Sequence, residues 1–233
     1  MSKEDLLKKE EDQKKNYMLA TKDGKVEISP ENVARVFAMI SNSPQYKKAE
    51  DTDNDDSSAY WFAKWKKNKT ISEGDLLSLL QKLNKENRTR VSNRDLKRIR
   101  KRIDPNKIKD RLQKADYSLI ETIIENCTKT LFSFATKFCH YACMYLLEGE
   151  ARDNFPIFDG IINQNLGTYS STWINLESAQ KLYKEGSYKS IKKEIGLENF
   201  YKLYVNAISE LATSAGVSKT GVEQLIWYYH NGG

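Results

Sequence analysis

The chain is poor in the residues that break a fold or cross-link it. Its 233 residues include only 4 prolines, 11 glycines, 2 histidines and 3 cysteines. No apolar run approaches the roughly 20 residues of a membrane span, and the charged N-terminus has no hydrophobic signal core. We therefore expect a soluble, cytoplasmic protein that is not associated with a membrane.

The few cysteines do not suggest a metal site. Cys139 and Cys143 are four residues apart, with His140 between them, and Cys127 lies one helix earlier. Structural zinc requires four ligands, which is more than this cluster offers. We expect no metal and no organic cofactor, and we interpret the cysteines as small buried apolar residues in a reducing compartment. The acidic residues 50–58 lack the glycine and the closing glutamate of a calcium loop.

Apolar residues recur at helical spacing, whereas no alternation typical of strands persists. Ser29 is predicted to cap a helix that opens with Pro30, and residues 70–73 and 92–95 contain further caps. Residues 115–147 are strongly apolar and should form a central helix pair. The predicted fold class is all-α.

Positive charge is concentrated in one stretch. The formal net charge is +6, and residues 85–111 contain twelve lysines and arginines against four acidic residues. This imbalance favours phosphate contacts, although a solvated helix face is the usual fate of a charge run. Candidate DNA-binding residues here are Arg94, Lys97, Arg98 and Lys101.

The segments 130–138 and 155–159 are the most informative. They place Lys137 in an apolar helix and Asp159 just after an X-Pro turn, 22 residues later. Desolvation favours the neutral, nucleophilic form of an amine, and a nearby carboxylate can stabilise a positive charge that develops there. The alternatives are a lysine whose ammonium reaches water and an aspartate that only caps a helix.

These segments resemble the helix-hairpin-helix DNA glycosylases, and most closely the archaeal 8-oxoguanine glycosylase branch. The resemblance covers roughly residues 126–165 and is carried by Lys129-Thr130-Leu131-Phe132, Lys137, Tyr141-Ala142, Pro156-Ile157-Phe158-Asp159 and the C-terminal Leu225-Ile226-Trp227. It implies two helical subdomains flanking a cleft, formed by about residues 17–111 with the C-terminal helices and by residues 112–200. A charged segment, residues 1–16, precedes them.

The resemblance also implies a reaction. Lys137 would attack C1′ of the damaged nucleotide and form a Schiff base, Asp159 would assist departure of the base, and β-elimination would give AP-lyase activity. Lys129 and Thr130 would contact DNA, although the turn at 130–134 lacks the glycines of the usual hairpin. The excised base would be 8-oxoguanine or a hypermodified phage base.

Aromatic residues supply candidates for a base pocket, since aromatic faces sandwich a flipped base. The candidates are Trp61, Trp65, Trp227 and His140, although the first two also have the spacing of core aromatics, and His140 suits a hydrogen-bonded core position. We expect DNA as the partner and a monomeric state. A non-catalytic DNA- or RNA-binding protein and a protein-interaction bundle remain the alternatives.

Overall fold

A computed structural model describes residues 19–43, 51–127, 131–174 and 193–231, and most of these residues are helical, as predicted. The helices are α1 (Pro30–Asn42), α2 (Ser58–Asn68), α3 (Glu73–Glu86), α4 (Asn93–Arg102), α5 (Ile108–Gln113), α6 (Ser118–Ile124), α7 (Phe132–Leu146), α8 (Gly160–Tyr169), α9 (Ser171–Ile174), α10 (Leu197–Ala215) and α11 (Lys219–Asn231). A 3-10 helix, Gly149–Asp153, follows α7. None of the helices described has the length and apolar character needed to cross a membrane.

A two-stranded hairpin near the N-terminus is the exception to the all-α prediction. Strands β1 (Thr21–Lys22) and β2 (Lys25–Val26) pair antiparallel. Asp23 and Gly24 join them with φ angles of 54° and 74°, the left-handed conformation that suits a tight hairpin turn. Each strand has only two residues, so the sequence carries no alternation to reveal it.

The predicted helix starts are confirmed at the level of hydrogen bonds. Ser29 Oγ accepts from the backbone N–H of Asn32, and Ser72 and Ser92 do the same three residues ahead at the starts of α3 and α4. Each cap satisfies a backbone donor that the first turn of a helix leaves unpaired.

Two apolar clusters hold the chain together. The main cluster runs from Phe62 in α2 to Ile226 in α11 and includes Phe134 and Phe138 of the central helix α7. It extends across residue 111, the expected boundary between two subdomains. A smaller cluster joins β2, α1 and α11 through Val26, Val33, Val36, Ile40 and Leu225. The segment 1–16 lies outside the described residues.

Helix α11 is fixed at its first turn from two sides. Asp153 accepts hydrogen bonds from the backbone N–H groups of Lys219 and Thr220 at 2.7 and 2.8 Å, and so caps the helix. On the other side, a Cβ added to Gly221 would lie 2.8 Å from Cγ1 of Val33 in α1. The glycine therefore permits close approach of α1 and α11.

The cysteines have the expected apolar role. Cys139 and Cys143 are buried free thiols, and burial raises the pKa of both. Cys127 is partly buried, and its pKa is raised to about 11, mainly by burial. Over the ranges that the structure covers, no three His, Cys, Asp or Glu side chains are grouped to hold a metal ion.

Candidate active site

A small cavity lies where α3, α7, α11 and the segment before α8 meet. Its volume is about 140 Å³, and its lining comprises Asn87, Lys137, Tyr141, Ile157, Asp159, Glu223, Gln224, Trp227 and Tyr228. Pockets for drug-sized ligands measure roughly 300–1,000 Å³. This cavity therefore suits one small ring system. It combines aromatic walls with a lysine and two carboxyl groups.

Lys137 and Asp159 converge in this cavity. Nζ of Lys137 lies 3.9 Å from Oδ2 of Asp159, and the two side chains are 15% and 11% exposed. Within the ranges described, Nζ of Lys137 donates no hydrogen bond, so the amine is held near the carboxylate without a short contact to it. Lys137 is in the second turn of α7, and its chain neighbours Thr136 and Phe138 are buried.

The two oxygens of Asp159 have separate partners. Oδ1 accepts from the backbone N–H groups of Ile161 and Ile162 at 3.0 and 3.1 Å, which makes Asp159 the N-cap of α8. Oδ2 accepts from Nε1 of Trp227 at 3.0 Å. A helix N-terminus stabilises negative charge. The capping role that the sequence left as an alternative is therefore present, and Oδ2 faces the cavity beside the amine.

Helix α7 holds the segment that leads to Asp159. The hydroxyl of Thr136, next to Lys137, accepts from the backbone N–H of Phe158, next to Asp159, at 3.2 Å. One turn later, Nδ1 of His140 lies 3.0 Å from the carbonyl oxygen of Phe155. These two contacts on consecutive turns fix how far Lys137 and Asp159 stand apart.

Helix α10 supports the same segment from the opposite side. The buried hydroxyls of Tyr201 and Tyr204 donate to the carbonyl oxygens of Pro156 and Ile157 at 2.6 and 2.5 Å. The carbonyl groups of Pro156 and Ile157 are thereby anchored to α10, and the next residue, Phe158, is anchored to α7. The approach to Asp159 is thus held on both sides by buried hydrogen bonds.

Glu223 is a second carboxyl group at the cavity, and sequence reasoning missed it. It is 1% exposed, and its described hydrogen bonds come from Nε2 of Gln224, at 3.2 Å to Oε2 and 3.5 Å to Oε1. Burial raises the pKa of Glu223 well above its usual value, and the charge of Asp159 adds to this, while Lys137 acts in the opposite direction. The neutral acid is favoured, and in this form it can donate a hydrogen bond.

The aromatic candidates occupy different places. Trp227 lines the cavity. Trp65 is 3% exposed in the main core, and Trp61 donates from Nε1 to the carbonyl oxygen of Asp55 on the surface of α2. His140 is buried, which lowers its pKa to about 4, and its ring is directed to Phe155. Of these four, only Trp227 is among the lining residues.

The candidate DNA-binding residues also separate into groups. Arg94, Lys97 and Lys101 are exposed on α4 at spacings of three and four residues, and none has an acidic partner among the residues described. Arg98 is half-buried and pairs with Asp95 at 3.2 Å. Lys129 and Thr130 lie outside the described residues.

Further lining residues were not among the site residues predicted from the sequence. Tyr141 follows Lys137 by one helical turn, and Glu223 precedes Trp227 by one turn, so helical spacing from a known candidate could have indicated both. Gln224 and Tyr228 form the next pair along α11. Asn87 carries no such signal, because it reaches the cavity from the end of a separate helix.

Comparison with known proteins gives a single partial match. A protein-family model described as an N-terminal domain matches residues 38–144, less than half of the chain. Neither a curated protein nor a solved structure matches the chain. The matched range ends inside α7, so it includes Lys137 and Tyr141 but not Asp159, Glu223 or Trp227.

Proposed function

We propose that the chain is a DNA glycosylase that excises a modified base, with AP-lyase activity through Lys137. The observation that carries the proposal is the pairing of Lys137 and Asp159 at 3.9 Å in one cavity, with Trp227 bonded to the same carboxylate. A sheltered amine and carboxylate of this kind are what displacement of a base from a sugar requires.

The proposed reaction begins with attack of the Lys137 amine on C1′ of the extruded nucleotide. The bond between C1′ and the base nitrogen breaks, and the base leaves with the electron pair of that bond and takes up a proton. Asp159 stabilises the positive charge on the sugar while it develops. The nitrogen then loses one of its two remaining protons, the bond between C1′ and O4′ breaks, O4′ takes up a proton, and the opened sugar is held as an iminium ion whose nitrogen keeps one proton. Removal of a C2′ proton then expels the 3′ phosphate and nicks the strand.

Two other cavity residues suit recognition of the base. Trp227 offers a ring face for stacking, and its Nε1–H stays committed to Asp159. Glu223 in its neutral form can donate to an acceptor on the edge of a base. Because the cavity holds about 140 Å³, it suits one base removed from the helical stack. Candidate bases are 8-oxoguanine and a hypermodified phage base.

The architecture is compatible with a helix-hairpin-helix glycosylase. Helices α6 and α7 are consecutive and packed together, and Lys137 lies in the second of them. Arg94, Lys97 and Lys101 supply exposed positive charge for the phosphates of the partner DNA.

Borohydride trapping on DNA that contains an abasic site tests the proposal. We expect a covalent adduct with the wild-type chain, no adduct with Lys137→Ala, and a retained adduct with Lys97→Ala, which removes a lysine from the surface of α4. Screening modified nucleosides released from several genomic DNAs by mass spectrometry would identify the base. Absence of both adduct and released base in the wild-type chain would reject the proposal.

The second candidate function is non-catalytic binding of DNA or RNA. It is favoured by Arg94, Lys97 and Lys101, three exposed residues of α4 that have no described acidic partner and require no chemistry at the cavity. Tight, salt-dependent binding by a chain that forms no adduct and releases no base would select it.

A further inference from the structure

The turn between α3 and α4 has an unusual backbone at the mouth of the cavity. Asn87, at the end of α3, lines the cavity, and the next residues are Arg88, Thr89 and Arg90. Arg88 and Arg90 have φ angles of 50° and 56°. Residues other than glycine rarely adopt this left-handed conformation, and such residues concentrate at functional sites.

The strained conformation is held by a hydrogen-bonded network and is not simply an open loop. The side-chain oxygen of Asn84 accepts from Oγ1 of Thr89 and from the backbone N–H of Val91 at 2.7 and 2.8 Å. The side-chain amide of Asn84 also donates to the carbonyl oxygen of Val91 at 3.1 Å. The half-buried Asn84 thus closes the turn, while Arg88 and Arg90 within it are exposed.

Both arginine side chains are available for a ligand. Arg88 and Arg90 are exposed, and neither has an acidic partner within the part of the chain that the structure covers. By contrast, Arg100 and Arg102, farther along the same basic stretch, pair with Glu73 and Glu125 at 2.5 and 3.1 Å. The two arginines that follow the cavity residue Asn87 thus have no described carboxylate partner, whereas these two later arginines do.

We propose that the Asn87–Arg90 turn is a phosphate clamp, in which the guanidinium groups of Arg88 and Arg90 bind the backbone of the DNA strand whose nucleotide enters the cavity. The guanidinium fork matches phosphate oxygens in bidentate geometry. Arg94, Lys97 and Lys101 of α4, the next helix along the chain, are exposed as well. This inference rests on the proposed function, because it takes DNA as the ligand.

The test compares variants by the salt dependence of DNA affinity. The probe is a fluorescent duplex with a stable abasic-site analogue, titrated at several KCl concentrations. Arg88→Gly/Arg90→Gly should lower the slope of log affinity against log salt by about 1.8, since each phosphate contact contributes about 0.9. Arg88→Lys/Arg90→Lys should keep most of the slope, because the charge remains.

The control removes two cations elsewhere. Lys109→Ala/Arg152→Ala makes the same change in net charge with two exposed residues on α5 and the 3-10 helix, neither of which lines the cavity. We expect its slope to remain close to that of the wild-type chain. Equal slopes for the glycine double variant and this control would overturn the proposal.

Thermal unfolding separates binding from folding. Glycine adopts positive φ without steric strain, so the glycine double variant should melt at or above the wild-type temperature while its DNA affinity falls. A marked fall in the melting temperature, with affinity lost in proportion, would indicate a structural turn and overturn the clamp. The clamp would also be overturned if the glycine double variant lowered the salt slope of affinity for single-stranded RNA but not for duplex DNA.

The outcome is distinguishable from failure of the glycosylase proposal. The salt slope needs no turnover, whereas the borohydride adduct needs the amine of Lys137. Suppose that the wild-type chain forms no adduct, and that Arg88→Gly/Arg90→Gly still lowers the salt slope of DNA affinity. This result would reject the chemistry and support the clamp.

Discussion

The inside of the cavity and the basic surface beside it are built in opposite ways. At the cavity, Asp159 is bonded through both oxygens, and the segment before it is anchored to α7 and α10. On the surface, Arg88, Arg94 and Lys97 are exposed and have no acidic partner in the described ranges. The first region fixes geometry and the second supplies charge. Changes in the first should therefore affect chemistry, and changes in the second should affect affinity.

The largest expected effect is at Asp159. Asp159→Asn should reduce base release by about 10²–10⁴-fold, the usual contribution of a positioned acid or base, because the negative charge at Oδ2 is lost. Asparagine is as good an N-cap as aspartate, but its amide nitrogen at the position of Oδ2 cannot accept from Nε1 of Trp227, so the free energy of unfolding should fall by about 1.5–3 kcal/mol. Single-turnover base release and DNA affinity, measured together, check this. Equal loss of both would make Asp159 structural.

The basic surface should give the reverse pattern. Arg94→Ala/Lys97→Ala/Lys101→Ala should lower the salt slope of DNA affinity by about 2.7 and leave the single-turnover rate at saturating DNA unchanged. Arg102→Ala is the control, because this arginine is already paired with Glu125. If the triple variant released the base slowly even at saturating DNA, the basic surface would affect chemistry as well as affinity, and the distinction between the two regions would be wrong.

Trp227 tests how strongly the cavity depends on one hydrogen bond. Trp227→Phe keeps an aromatic face and removes the Nε1–H that donates to Asp159. Hydrogen bonds to charged groups contribute about 1.5–3 kcal/mol, so base release should fall by about one to two orders of magnitude. Trp61→Phe also loses an indole donor, but one directed to the carbonyl of Asp55, and should leave the rate unchanged.

The smallest expected effect concerns stability and pH. Because the pKa of folded Glu223 is raised above 4.5, folding retains a proton that the unfolded chain releases, and this residue's contribution to stability declines as pH rises above 4.5. Glu223→Gln cannot titrate. Its melting temperature, relative to wild type, should therefore increase between about pH 5 and about pH 8. Parallel pH profiles for the two chains would contradict the assignment of a neutral Glu223.

Local signals predicted local structure well. Serine caps at Ser29, Ser72 and Ser92 act through the backbone of the next three residues, so their effect can be read without knowledge of the rest of the fold. The proximity of Lys137 and Asp159 was also predicted, through the segments that flank them and their family resemblance.

Burial and backbone conformation could not be predicted in the same way. Trp61 and Trp65 are four residues apart on α2, yet Trp65 is buried in the core and Trp61 only packs against its edge, because the partners that select one face come from distant parts of the chain. The positive φ angles of Arg88 and Arg90 depend on Asn84, and arginine carries no sequence signal for that conformation. Glu223 becomes notable only when burial and the nearby Asp159 are known.

The close approach of Gly221 to Val33 has a consequence for the width of the cavity. Helix α11 carries Glu223 and Trp227, and its distance from α1 is limited by a valine side chain that is not among the lining residues of the cavity. A bulkier or smaller residue at position 33 would shift the wall that α11 forms, while Lys137 stays on α7 and Oδ1 of Asp159 stays bonded at the start of α8. If the cavity takes a base as proposed, a change in α1 would alter the width of base that fits without replacing any lining residue.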